Sequence, residues 1–248
     1  IGEAPELSFE ELEVLLHENL LPSDYEQTRI LRRLYDILNI RNFWKEDELD
    51  PYGNLNVNQL EEALLDHAGL PSYVLKFLET YPSQVARLNF FSSLISQFFK
   101  EEAKNASGFL KKYLNFERAL QLVLVGFRAK KLKRNLEKEL QFEDPNEDLI
   151  AQILAQKDSP EFEPPEGFED LKPIFLAYQD LPLKLYQSLC EYRFEKIEEM
   201  AGTDTFSLSK ILSYIAEFII VDKWMHLNED QGLKVADTVL KTSSGETT

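Results

Sequence analysis

The chain has 248 residues, 44% of them hydrophobic, so one large domain or two smaller ones can bury a core. Its 44 acidic and 27 basic side chains give a net charge of −17, which argues against general binding to nucleic acid or anionic lipid. The single cysteine, Cys190, excludes an internal disulfide, suits a reducing cytoplasm, and reads as a small core residue.

Only 9 Gly and 11 Pro are present, and Val and Ile rarely alternate with polar residues, so an all-helical class is expected. Ser8-Phe9-Glu10-Glu11 fits a capping box, followed at helical spacing by Leu12, Leu15 and Leu16. Pro22-Ser23-Asp24-Tyr25-Glu26 opens a second helix with the same signature, and its seam is Ile30, Leu31, Leu34, Ile37 and Leu38. A turn cluster, Asp50-Pro51-Tyr52-Gly53-Asn54, precedes a short helix with Val57, Leu60 and Leu64 that Gly69-Leu70-Pro71 ends. Pro82 precedes a helix with Val85, Leu88, Phe91, Leu94, Ile95 and Phe98.

Leu110–Leu140 reads as one long basic helix with a buried stripe of Tyr113, Ala119, Leu120, Val123, Leu124 and Phe127. Beyond Phe127 the apolar positions thin, so the distal half is expected to stand partly clear of the core. The acidic stretch Asp158–Asp170, with three prolines, reads as a loop or linker. Pro182 opens a helix containing Leu185, Tyr186, Leu189 and Ile197, and Gly202-Thr203 separates it from an apolar helix over Leu208–Met225. The expected organisation is one multi-lobed helical domain, with lobes at 1–105, 106–157 and 168–241, a loop at 158–167 and a disordered tail at 242–248.

No signal-peptide pattern is visible, and no apolar run approaches the ~20 residues of a spanning helix. His17, His67 and His226 lack the spacing of a zinc protease or a helical di-iron site. No phosphate-cradling glycine loop and no nucleophile elbow is present. Pairs such as Glu61–Glu62 are what an acidic helical surface supplies by chance. The chain therefore reads as noncatalytic, with no cofactor and no metal.

Charge is sharply segregated. Residues 103–140 carry ten Lys/Arg against three Glu, a net of +7, whereas residues 141–170 carry ten Asp/Glu against one Lys, a net of −9. Two readings stay open: a basic helix neutralised by its own acidic loop, or a basic face offered to an acidic partner. Lys111, Lys112, Arg128, Lys130, Lys131, Lys133 and Arg134 are the candidate docking residues.

Leu38-Asn39-Ile40-Arg41-Asn42 is echoed by Leu114-Asn115-Phe116-Glu117-Arg118, each behind a tyrosine, and more weakly by Tyr192-Arg193-Phe194-Glu195-Lys196-Ile197. Either a helix–helix hydrogen bond recurs in successive lobes, or the match is coincidence. Asp36-Ile37-Leu38-Asn39-Ile40 and Phe127-Arg128-Ala129-Lys130 resemble the two halves of the unit repeated in the C (or d) subunit of V/A-type ATPases. SFEELEVLLHENL and LNFERALQLVLVGFRAKKL are similar to a bacterial family associated with V-type ATP synthases, of the chlamydia and Bacteroides type. The chain departs from the C-subunit unit at Arg41-Asn42-Phe43-Trp44-Lys45, and it has Lys112 where the second copy would carry Asp.

The resemblance implies a fold of antiparallel helical lobes. It implies a noncatalytic part that couples the central stalk to the membrane rotor ring, in ATP-driven or ATP-forming ion transport. Its partners would be stalk and ring subunits, and it would lie in the cytoplasm, held at the inner membrane through the complex. The alternative is a free-standing helical adaptor or an assembly factor.

Overall fold

A computed structural model describes residues 5–226; the expected tail and the end of the third lobe lie outside that range. Among the described residues there are twelve helices and no strand, so the fold is all-α. No helix among them is long and apolar enough to cross a membrane.

The first helix, α1 (Phe9–Asn19), begins as its sequence dictates. The Ser8 hydroxyl accepts from the Glu11 N–H, and Glu11 returns to the Ser8 N–H at 2.8 Å. The next, α2 (Pro22–Lys45), starts differently from expectation. Leu21 is its N-cap without a side-chain bond, and Pro22 fills the first turn, where a missing N–H costs nothing. Next come α3 (Val57–Asp66), α4 (Ser72–Thr80), α5 (Gln84–Asn89) and α6 (Phe91–Asn105). His67, not Gly69, closes α3 in the left-handed conformation. The apolar run after Pro82 is broken at Phe90 into α5 and α6, leaving Val85 exposed.

The expected helix over 110–140 is two helices, α7 (Gly108–Lys131) and α8 (Leu136–Glu139). The break has a defined geometry. Lys133 sits at φ 52°, and the Arg134 N–H donates to the Ala129 carbonyl at 2.8 Å, closing α7 with a left-handed turn. Asn135 then caps α8. The turn folds Leu136 and Leu140 back onto the body, where both are buried, so the distal half does not stand clear.

Ahead of the acidic stretch, α9 (Asp148–Leu154) buries Ile150 and Ile153, and residues 158–170 carry no helix. The chain closes with α10 (Leu171–Tyr178), α11 (Pro182–Ala201) and α12 (Leu208–His226).

Apolar side chains sort into two cores that do not follow the expected lobe boundaries. The first joins α1 to α6, the beginning of α7, the end of α11 and all of α12. The second joins the rest of α7 to α8, α9, α10, Phe162 and Tyr192 of α11. Phe162 stacks edge-on to Phe127, 4.9 Å between centroids, over Gly126. A Cβ at Gly126 would lie 2.3 Å from the Phe162 ring, so only glycine admits this aromatic. Thus α7 and α11 run through both cores and join them.

Candidate functional site

The seam between the cores falls on Glu117 and Arg118 of α7, between Leu114 of the first core and Leu120 of the second. Glu117 faces inward. Its carboxylate accepts from Arg193 of α11 through Nε at 2.9 Å and Nη2 at 2.7 Å. Burial opposes the Arg193 charge, but Glu117 outweighs it and holds the guanidinium well above its ordinary pKa. Burial also pushes up the phenols of neighbouring Tyr35, Tyr113 and Tyr186, and the thiol of Cys190, which is a core residue as expected.

Arg118 faces the other way. It grips both oxygens of Glu147 and also bonds Glu143, while Lys100 of α6 lies 3.5 Å from the same Glu143. Burial works against this charge too, and hydrogen bonds to Glu147 and Glu143 raise the Arg118 pKa despite it. The Glu147 carboxyl is correspondingly lowered, chiefly by its bond to Arg118. The Arg118 Nε–H, although buried, has no acceptor among the described residues.

The same face opens into a cleft of about 260 Å³ between α6 and α7, lined by Phe99, Lys100, Ala103, Lys104, Lys111, Asn115 and Arg118. Lys104 and Lys111 are exposed and form no ion pair among the described residues. Residues three and four apart share a helix face, so Lys100–Lys104 and Lys111–Asn115–Arg118 form two facing stripes.

The seven expected docking residues do not form one patch. Lys111 and Lys112 lie at the start of α7, whereas Arg128, Lys130 and Lys131 lie in its last turn, about 25 Å away at 1.5 Å per residue, and Lys133 and Arg134 follow it. Several at the far end are committed within the chain. Lys130 donates to the carbonyls of Lys157 and Ser159 at 2.6 and 2.7 Å. Lys131 pairs with Asp180 at 2.7 Å, and Arg134 lies 3.7 Å from Glu139. Arg128 and Lys133 are exposed. The basic end of α7 thus closes on the chain's own loop and on the α10–α11 turn.

The sequence echo does not mark a repeated interaction. Asn39 is buried and clamps a loop, donating to the Asp50 carbonyl at 2.9 Å and accepting from the Asp50 N–H at 2.7 Å. Asp36 accepts from the N–H groups of Asn54 and Leu55 at 2.6 and 3.1 Å. Arg32 donates to the carbonyls of Tyr52 and Gly53 and bonds Glu13 of α1. Tyr52 and Asp50 reach Asp222 and Lys223 of α12, so one polar clasp ties α1, α2, α12 and the 47–56 loop together. Asn115, by contrast, is exposed on the cleft face.

The histidines hold structural or surface places: His17 packs edge-on against Tyr25, His67 caps α3, and His226 lies 3.4 Å from Asp222. No group of His, Cys, Asp or Glu among the described residues is arranged to hold a metal ion.

A family profile described as "Protein of unknown function (DUF2764)" matches residues 2–245. A protein from Chlamydia trachomatis serovar D, named "Uncharacterized protein", is 31% identical over 88% of this chain and 85% of its own length. Similar proteins from Chlamydia muridarum and Chlamydia pneumoniae are 29% and 30% identical, over 94% and 96% of this chain and 90% and 91% of their own lengths. No solved structure matches.

Proposed function

The chain belongs to the DUF2764 family, and from that premise we propose that it is a noncatalytic coupling subunit of a V/A-type ATPase. In this reading it links the central stalk to the membrane rotor ring and is peripheral to the inner membrane through that complex. The observation that supports the reading is the burial of Asp36 and Asn39, the two polar residues of the stretch that resembles the C-subunit unit. Both are turned inward to brace the 47–56 loop against α2, and the same clasp reaches α1 and α12. A part that transmits torque needs such bracing, because a helix assembly that shears under load loses the work passed to it.

The test is reconstitution. The full chain, tagged, is co-expressed with the catalytic head, central stalk and rotor ring of the same organism, and the assembly is purified through the head. The proposal predicts the chain in the purified assembly in fixed proportion to the stalk. Transient association that disappears from the finished complex would favour an assembly factor instead, and no association in a preparation where the other subunits assemble would contradict both.

A further inference from the structure

The cleft between α6 and α7 is a concentration of positive charge in a strongly acidic chain. Lys100 and Lys104 face Lys111, Asn115 and Arg118 across it, and the α7 stripe is about 10 Å long at 1.5 Å per residue. One end is already taken by carboxylates four residues apart, Glu143 and Glu147, held by Arg118 and Lys100. The other end, with Lys104, Lys111 and Asn115, is exposed and has no acidic partner among the described residues. The chain's own segment therefore displays the ligand chemistry that this groove accepts.

We propose that the α6–α7 cleft is a docking site for an acidic peptide segment of a partner protein, with its carboxylates on Lys104 and Lys111 beside the resident Glu143–Glu147 segment. Paired stripes on two helices suit carboxylates repeated at three- and four-residue spacing, whereas a small anion would engage only one end of the cleft. Asn115, between the two free cations and Arg118, offers an amide donor and acceptor to the peptide backbone. Phe99 and Ala103 line the cleft but are buried in the first core, so the contacts open to a peptide are the polar ones. The site does not depend on the rotor–stalk assignment, and its test uses no rotor component.

The experiment is fluorescence anisotropy of the full chain with a labelled helical peptide carrying Glu at every fourth position, beside a twin with Gln at those positions. The Glu peptide should bind at least about tenfold more tightly than the Gln twin, and its affinity should fall as salt is raised. The double variant Lys104→Glu/Lys111→Glu should lose at least about tenfold in affinity, while Lys184→Glu, an exposed control on α11, should change nothing. Unaltered circular dichroism would show that the double variant is folded, as exposed positions lead one to expect. Equal binding of both peptides, or no loss in the folded double variant, overturns the proposal. Full displacement by millimolar inorganic phosphate overturns it as well, by showing a small-anion site.

Discussion

The two cores are stabilised by different means. In the first, buried side chains form a polar clasp: Asn39 holds the backbone of Asp50, Asp36 holds the backbone of Asn54, and the Tyr52 hydroxyl donates to the Asp222 carboxylate. In the second, short helices are gathered around half of α7, and a loop is pinned by aromatics, Phe162 seated on Gly126 and Phe168 stacked on Phe116. Hydrogen-bonded clasps fix one geometry, because any shift leaves buried polar groups unpaired. Apolar gathering tolerates adjustment. The first core is thus the rigid frame, and the second is the part whose loops can be perturbed without dismantling the whole.

The largest effect should come from breaking the seam. Arg193→Met leaves Glu117 buried without its partner and should cost about 3–5 kcal/mol in chemical denaturation. Adding Glu117→Leu should recover most of that loss, since no uncompensated charge remains. If the single variant were as stable as the parent, the pair would not be what joins the cores.

Gly126→Ala and Asn39→Ala address one core each, at about 1–3 kcal/mol apiece. Hydrogen exchange distinguishes them. Gly126→Ala should expel Phe162 and raise exchange across α8 to α10 while α2 and α12 stay protected. Asn39→Ala should release the 47–56 loop and loosen α2 and α12 together. Identical exchange patterns would remove the distinction between frame and gathered half.

The smallest effect concerns Glu217 of α12, whose carboxyl is pushed up to about 7, first by burial and then by Glu198, with Lys210 opposing. One of its oxygens is buried without a partner. Because the folded state holds the proton more tightly than the unfolded state, this contribution is fully present below the ordinary carboxylate pKa and fades as pH rises through about 7. Glu217→Gln should therefore stabilise the protein by about 1–2 kcal/mol at pH 8, after allowance for solvent, and by almost nothing at about pH 4, below the ordinary carboxylate pKa. Thermal melts of both proteins at the two pH values check the sign.

What the sequence made legible was local. The Ser8–Glu11 box, Pro182 at the start of α11 and the burial of Cys190 depend on neighbours within a turn or on residue type. The end of α7 was illegible because no glycine or proline marks it; Lys133 adopts the left-handed turn so that Leu136 and Leu140 can reach the second core. The acidic stretch read as a linker because its anchors are scattered: Phe162 sits on Phe127, Phe168 stacks on Phe116, and the seat of Phe162 depends on a glycine 36 residues earlier. The α6–α7 cleft was half legible. The spacing of Lys100 and Lys104, and of Lys111, Asn115 and Arg118, is in the sequence, but the facing of the two helices is not. Of the charge pattern, the pairing of the basic helix with its own acidic stretch is seen at Arg118, which meets Glu143 and Glu147; at the far end of α7, Lys130 bonds backbone carbonyls, and Lys131 and Arg134 meet Asp180 and Glu139, which lie outside that stretch.

The proposed coupling role is tested most directly by quantitative mass spectrometry of the ATPase isolated from its native membranes through a tagged catalytic subunit. The account predicts this chain in the intact complex at a fixed ratio to the central-stalk subunits, and its loss together with them when the head is stripped from the ring. A complete, active complex that lacks the chain would contradict it.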